Sequence, residues 1–158
     1  MFKDIRIALI FSVVLLDIIG IGVIFPIIPD LLKEVGIDQT ASAAFWGGLL
    51  SSSYAFMQFV FSPTIGTLSD IFGRRPILLL ASLLLAIDYL LMGFAENILI
   101  LFIGRIIGGL AGGTIATATA YLADISDTKD KKKNFAIIGA AFGLGFILGP
   151  IIGGLMGE

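Results

Sequence analysis

The sequence contains no cysteine and no histidine. Without cysteine there is no disulfide framework, thiol nucleophile or thiolate metal site. Without histidine the commonest metal ligand and general base is missing, which removes zinc sites and His-based triads. Charge is scarce too: Asp, Glu, Lys and Arg make up 14% of the 158 residues, against about 25% in a soluble domain. A net charge of −2 gives no basic field for nucleic acid. What the chain has in excess is apolar surface. Apolar residues reach 58% before its 20 glycines are counted, and the mean hydropathy is +1.06. A water-soluble globule of this composition could not cover its own core, so the sequence reads as an integral membrane protein.

Five apolar stretches, 7–29, 41–68, 77–94, 98–122 and 135–156, each have roughly the 20-residue length of a helical crossing. None alternates with period two, which argues against barrel strands. The first could be mistaken for a signal peptide, because Lys3 and Arg6 precede an apolar run. Apolar character resumes after Asp17, however, and no small-residue cleavage site follows. The expected fold is therefore all-α, with about five transmembrane helices joined by short loops at 30–40, 69–76, 95–97 and 123–134.

Basic residues set the expected orientation. If the helices alternate, Lys3, Arg6, Arg74, Arg75, Lys129, Lys131, Lys132 and Lys133 all fall on one side. Of the remaining basic residues, Lys33 falls on the other side and Arg105 inside the fourth stretch. This predicts a cytoplasmic N-terminus and, with an odd number of crossings, Glu158 outside.

Three ionisable residues interrupt the spans: Asp17, Asp88 and Arg105. Each costs about 2.5–3.5 kcal/mol near a helix centre, so each is expected to face a bundle interior or cavity and to pair or titrate. At 1.5 Å per residue, both aspartates reach about 15 Å from the inner side, and Arg105 lies about 10 Å from the outer side. One aspartate pairing with Arg105 leaves the other unpaired and able to carry a proton or cation. Tyr54 and Gln58, one turn apart, offer hydrogen bonds either to the same cavity or between helices.

Proline and glycine are concentrated in the spans. Pro26 and Pro29 follow Gly20 and Gly22, and they predict a loosened outer half for the first helix. Gly108, Gly109, Gly112 and Gly113 give the fourth span a small-residue face. In the fifth, Gly139–Gly143, Gly145–Gly149 and Gly149–Gly153 are i, i+4 pairs suited to close helix packing. The turn Gly66-Thr-Leu-Ser-Asp70-Ile-Phe-Gly73-Arg74-Arg75-Pro76 places Gly73 where φ > 0 is expected and Pro76 in a helical first turn. Asp124 ends the fourth span, where the helix dipole disfavours a carboxylate. It calls for a cation, Arg74 or Arg75.

These motifs together resemble the major facilitator superfamily. Gly66-x-Leu68-x-Asp70-x-x-Gly73-Arg74-Arg75 is similar to its signature loop. Leu16-Asp17-x-x-Gly20-x-Gly22-x-x-x-Pro26-x-x-Pro29 is similar to the first-helix motif of its twelve-span drug:proton antiporters. Leu101-x-x-x-Arg105-x-x-Gly108-Gly109 resembles the fourth-helix motif, with Gly108 where Gln is usual. Gly145-x-x-x-Gly149-Pro150-x-x-Gly153-Gly154 resembles the antiporter motif of the fifth helix. Ile87-Asp88-Tyr89-Leu90-Leu91, Tyr121-Leu-Ala-Asp124-Ile and Phe142-Gly-Leu-Gly145-Phe are similar to the tetracycline-efflux branch.

The resemblance implies a non-enzymatic transporter performing proton-coupled drug efflux by alternating access. It implies that Asp17, Gln58 and Asp88 line a substrate and proton cavity, with Arg105 tuning a carboxylate. Gly66, Asp70, Gly73, Arg74, Arg75 and Asp124 would form a cytoplasmic gate, and Gly145, Gly149, Pro150, Gly153 and Gly154 the antiport-type packing. No bound cofactor or protein-held metal is implied. The proton is the coupling ion, and Mg²⁺ would travel only within a chelated tetracycline-type substrate. The implied partners are the lipid bilayer of a bacterial inner membrane, a small-molecule drug and a C-terminal half. Residues 1–158 would be a partial N-terminal transmembrane domain, inactive in transport alone. The alternatives are a multidrug or sugar exporter of the same superfamily, or a non-transporting membrane fragment.

Overall fold

The computed structural model describes residues 5–156. Lys3 and Glu158, which enter the orientation argument, lie outside them. Six helices and no strand occur among the described residues: α1 (Ile5–Glu34), α2 (Thr40–Phe72), α3 (Arg74–Gly93), α4 (Ile98–Leu110), α5 (Thr114–Ile125) and α6 (Lys131–Met156). α4 and α5 are two parts of one crossing, and the elements run up and down as an antiparallel bundle. Arg74 at the start of α3 meets Asp124 near the end of α5. At the opposite end Leu32, Leu50, Met92 and Leu101 share one buried cluster. Arg6, Arg74, Arg75 and Lys131–Lys133 thus begin helices at a common end.

Counting α4 and α5 together, four helices are long and apolar enough to cross a membrane by length and composition. α2 has the length, with 33 residues or about 50 Å. It is less apolar because Ser51, Ser52, Ser53, Tyr54, Gln58 and Ser62 dilute it. α1 extends beyond the apolar stretch, passing through Pro26 and Pro29 to Glu34. Leu32, fully buried, anchors this last segment, and Lys33 closes onto Asp30 at 2.7 Å. The chain then reverses at Gly36, whose φ of 87° favours glycine.

The most extensive pairing is α1 with α6; α4 packs between α2 and α3. Ile10, Val14, Ile18, Leu78, Ala118, Leu122, Ile138 and Ala141 form the core at the α1, α3, α5 and α6 side. Large apolar side chains such as Phe25, Phe59, Leu83, Leu90 and Ile147 point outward and are exposed. That pattern would be an aggregation liability in water and is ordinary where lipid is the solvent.

Candidate functional site

Asp88 on α3 is completely buried and Arg105 on α4 is 5% exposed. Arg105 Nη2 donates to Asp88 Oδ2, so the fourth-span cation takes Asp88 and not Asp17. Glycine makes the pairing sterically feasible. A Cβ at Gly108 would overlap Asp88 Oδ2, and one at Gly104 would sit 3.0 Å from Oδ1. The departure from the usual Gln at position 108 therefore has a physical reason: the Asp88 carboxylate occupies that space. The guanidinium also lies over the Tyr54 ring, 5.1 Å from its centroid, a favourable cation–π distance. Asp88 Oδ1 and Arg105 Nε are buried without a hydrogen-bond partner, so the pair is held by one prong.

Asp17 on α1 is 7% exposed and borders a cavity of about 250 Å³ with Ser82, Leu85, Tyr89 and Thr114. Tyr89 fixes the local geometry of α1. Its hydroxyl occupies the space that a side chain at Gly20 would need. Arg105 pairs with Asp88 and lies over Tyr54, and Tyr89 borders the same cavity as Asp17, so α1 to α4 converge on one polar cluster. That cluster holds two carboxylates and one guanidinium.

Gln58 hydrogen-bonds to the backbone of the fourth crossing. Its Nε2 donates to Gly112 O at 3.2 Å, and Ser62 Oγ donates to the same oxygen at 3.3 Å. That carbonyl is available because the fourth crossing breaks at Ala111–Gly113, between α4 and α5. Sequence reasoning expected a small-residue packing face here and missed the break. The signal was the pair of glycine pairs four residues apart, which weakens helix propagation twice within one crossing. Non-helical backbone at this depth is tolerated only when buried and satisfied, and α2 supplies the donors.

The gate motif is organised around Arg74. Its Nη2 is 2.5 Å from Asp70 Oδ1, its Nε donates to Asp124 Oδ2 at 3.0 Å, and its Nη1 donates to Ser69 Oγ at 2.6 Å. Asp124 and Asp70 offset the unfavourable position of an arginine at a helix N-terminus. Gly73, at φ 95°, permits the sharp passage from α2 to α3. Arg75 points elsewhere, lining a cavity of about 440 Å³ with Arg6 and Tyr121. Gly66 has no neighbour that a Cβ would meet. Ser69, buried under Arg74, was not singled out from sequence, since a helical serine carries no distinguishing pattern.

On α6 the glycines divide into two faces. A Cβ at Gly149 would lie 2.6 Å from Gly22 Cα, one at Gly145 2.6 Å from Ile18 Cγ2, and one at Gly153 2.6 Å from Pro26 Cγ. Pro150 Cδ approaches Gly22 closely as well. At Gly139, Gly143 and Gly154 an added Cβ would meet nothing within 4 Å among the described residues.

Comparison with known proteins gives a consistent result. The profile of the Major Facilitator Superfamily matches residues 10–158. Tetracycline resistance protein class H of Pasteurella multocida is 43% identical over 152 residues, covering 96% of this chain and 38% of that protein. The class B protein of Escherichia coli is 44% identical over 153 residues, covering 97% and 37%. Quinolone resistance protein NorA of Staphylococcus aureus is 36% identical over 146 residues, covering 92% and 36%. The crystal structure of the human organic anion transporter MFSD10 (TETRAN) superposes with a TM-score of 0.83 at 28% identity, covering 98% of this chain and 42% of that one. The chain thus spans well under half the length of each of these proteins.

Proposed function

The chain belongs to the major facilitator superfamily, and on that premise we propose that it is the N-terminal part of a proton-coupled exporter of drug-like molecules. The observation that carries this reading is the uneven sharing of charge in the bundle. Arg105 is committed to Asp88, while Asp17 borders a cavity with no arginine of its own. A carboxylate in that position can remain in the bilayer by taking up a proton and releasing it when the cavity opens. Asp17 is accordingly the coupling carboxylate, and the Asp88–Arg105 pair is a fixed element beside it.

The substrate proposed is a tetracycline-type compound carried as its divalent-metal chelate, in keeping with relatives named for tetracycline resistance. Similarity to a quinolone resistance protein favours multidrug export as the second reading. Transport would proceed by alternating access, one bundle rocking against another around a midplane site. Arg74 would hold α2, α3 and α5 together at the cytoplasmic end in one state and release them in the other. The basic ends of α1, α3 and α6 would face the cytoplasm of the cell membrane.

In the full-length protein, Asp17→Asn is expected to abolish proton-driven tetracycline uptake into everted vesicles while leaving the protein in the membrane. Uptake at the unsubstituted rate would remove Asp17 from the coupling role. A quinolone arm in the same vesicles separates the two substrate readings.

A further inference from the structure

α2 holds the fourth crossing at two places. The first is the break between α4 and α5, where Gln58 Nε2 and Ser62 Oγ both donate to Gly112 O. Around that carbonyl, α2 fills the space a Cβ would need: Met57 at Gly109, Gln58 at Gly112 and Ile65 at Gly113. The break itself is a loose joint. The bonds Ala111 N to Gly108 O, Gly112 N to Gly109 O and Thr114 N to Ala111 O are of the i to i−3 kind, weaker than the helical ladder. α5 also starts from Gly113 without a side-chain cap. Such a joint takes its geometry from what packs on it, and here that is α2.

The second place lies two turns further along the same stripe of α2. Gln58, Ser62, Ile65 and Ser69 recur at helical spacing, and Ser69 Oγ accepts from Arg74 Nη1 at 2.6 Å. Arg74 also binds Asp70 of α2 and Asp124 of α5. The α5 segment is thus tied to α2 directly at Gly112 and through Arg74 at Asp124, points about 18 Å apart along the helix. A helix held at both ends has a fixed register. Slippage by one residue, about 1.5 Å, adds to the 3.0 Å between Arg74 Nε and Asp124 Oδ2 and breaks that hydrogen bond. We propose that Gln58 and Ser62 are positioning residues that fix the register of α5, so that their clasp on Gly112 decides whether Asp124 reaches Arg74. Gln58 then acts through the backbone and Arg74, and not as a ligand of the drug. This rests on the exporter reading and adds to it a link between the middle of the bundle and its cytoplasmic gate.

The test uses the full-length protein in everted vesicles, with initial rates of tetracycline uptake and deuterium exchange of the amides of 111–117. Gln58→Leu and Ser62→Ala are each expected to lower the maximal rate about threefold, and together about tenfold, as one and then both donors are lost. KM should stay within about twofold, because drug binding is not what the clasp supplies. Ser62→Thr, which keeps the hydroxyl, should recover most of the rate lost in Ser62→Ala. Exchange in 111–117 should rise about tenfold in the double variant. Adding Asp124→Asn to that variant should cost little more, because clasp and gate act in series. A raised KM for Gln58→Leu with Ser62→Ala silent makes Gln58 a drug ligand and overturns the proposal. Unchanged exchange in the double variant overturns it as well, whatever the uptake shows. The exporter reading fails separately, if the unsubstituted full-length protein takes up no drug.

Discussion

Asp88 and Arg105 illustrate how much a single buried charge depends on its neighbours. The pair removes two charges from solvent at 0% and 5% exposure, and its attraction is opposed by desolvation of similar size. Removing one partner is therefore far worse than removing both. Arg105→Leu should strand the carboxylate and cost about 3–5 kcal/mol, read as a large drop in apparent Tm of the full-length protein in detergent. Adding Asp88→Asn should recover most of it. Equal losses in the single and double variants would contradict the pairing. Sequence alone identified both residues as charges within the apolar stretches. Which aspartate the arginine takes was decided by the glycine space at Gly104 and Gly108, visible only when α3 and α4 are packed.

At the scale of elements, α1 and α6 show why glycine spacing has to be read on a three-dimensional surface. Gly22 and Gly149 bring the two backbones within reach of each other, and no side chain fits between them. Gly149→Val is expected to push α6 away from α1, with overpacking costs of about 1–3 kcal/mol or more and loss of efflux. Gly143→Ala meets open space and should be neutral or stabilising by up to about 1 kcal/mol, the propensity gain of Ala over Gly in a helix. Parallel thermal melts of the two full-length variants check the contrast, and equal destabilisation would contradict it. Both glycines belong to i, i+4 pairs, so the pattern could not separate them. The break between α4 and α5 was hidden for the same reason: glycine permits a turn, but the donors from Gln58 and Ser62 that satisfy Gly112 come from another helix.

For the whole molecule, the chain supplies one bundle and alternating access requires two surfaces moving against each other. Everted vesicles containing only these 158 residues are expected to show no proton-coupled drug uptake; uptake above background would refute the two-bundle requirement. The sequence by itself determined the all-α membrane class, because no soluble fold can bury so large an apolar fraction. It also determined the family, because motif residues recur at fixed spacing along a chain whose order cannot be rearranged. It likewise identified the charges that must face inward, since lipid penalises them individually and wherever the helices pack. The tertiary structure alone decided the Arg105–Asp88 pairing, the grouping of Asp17 with Ser82 and Thr114, and the face of α6 that is closed. Those outcomes depend on distances between helices far apart in sequence, and helix spacing is set by the combined volume of all the side chains between them.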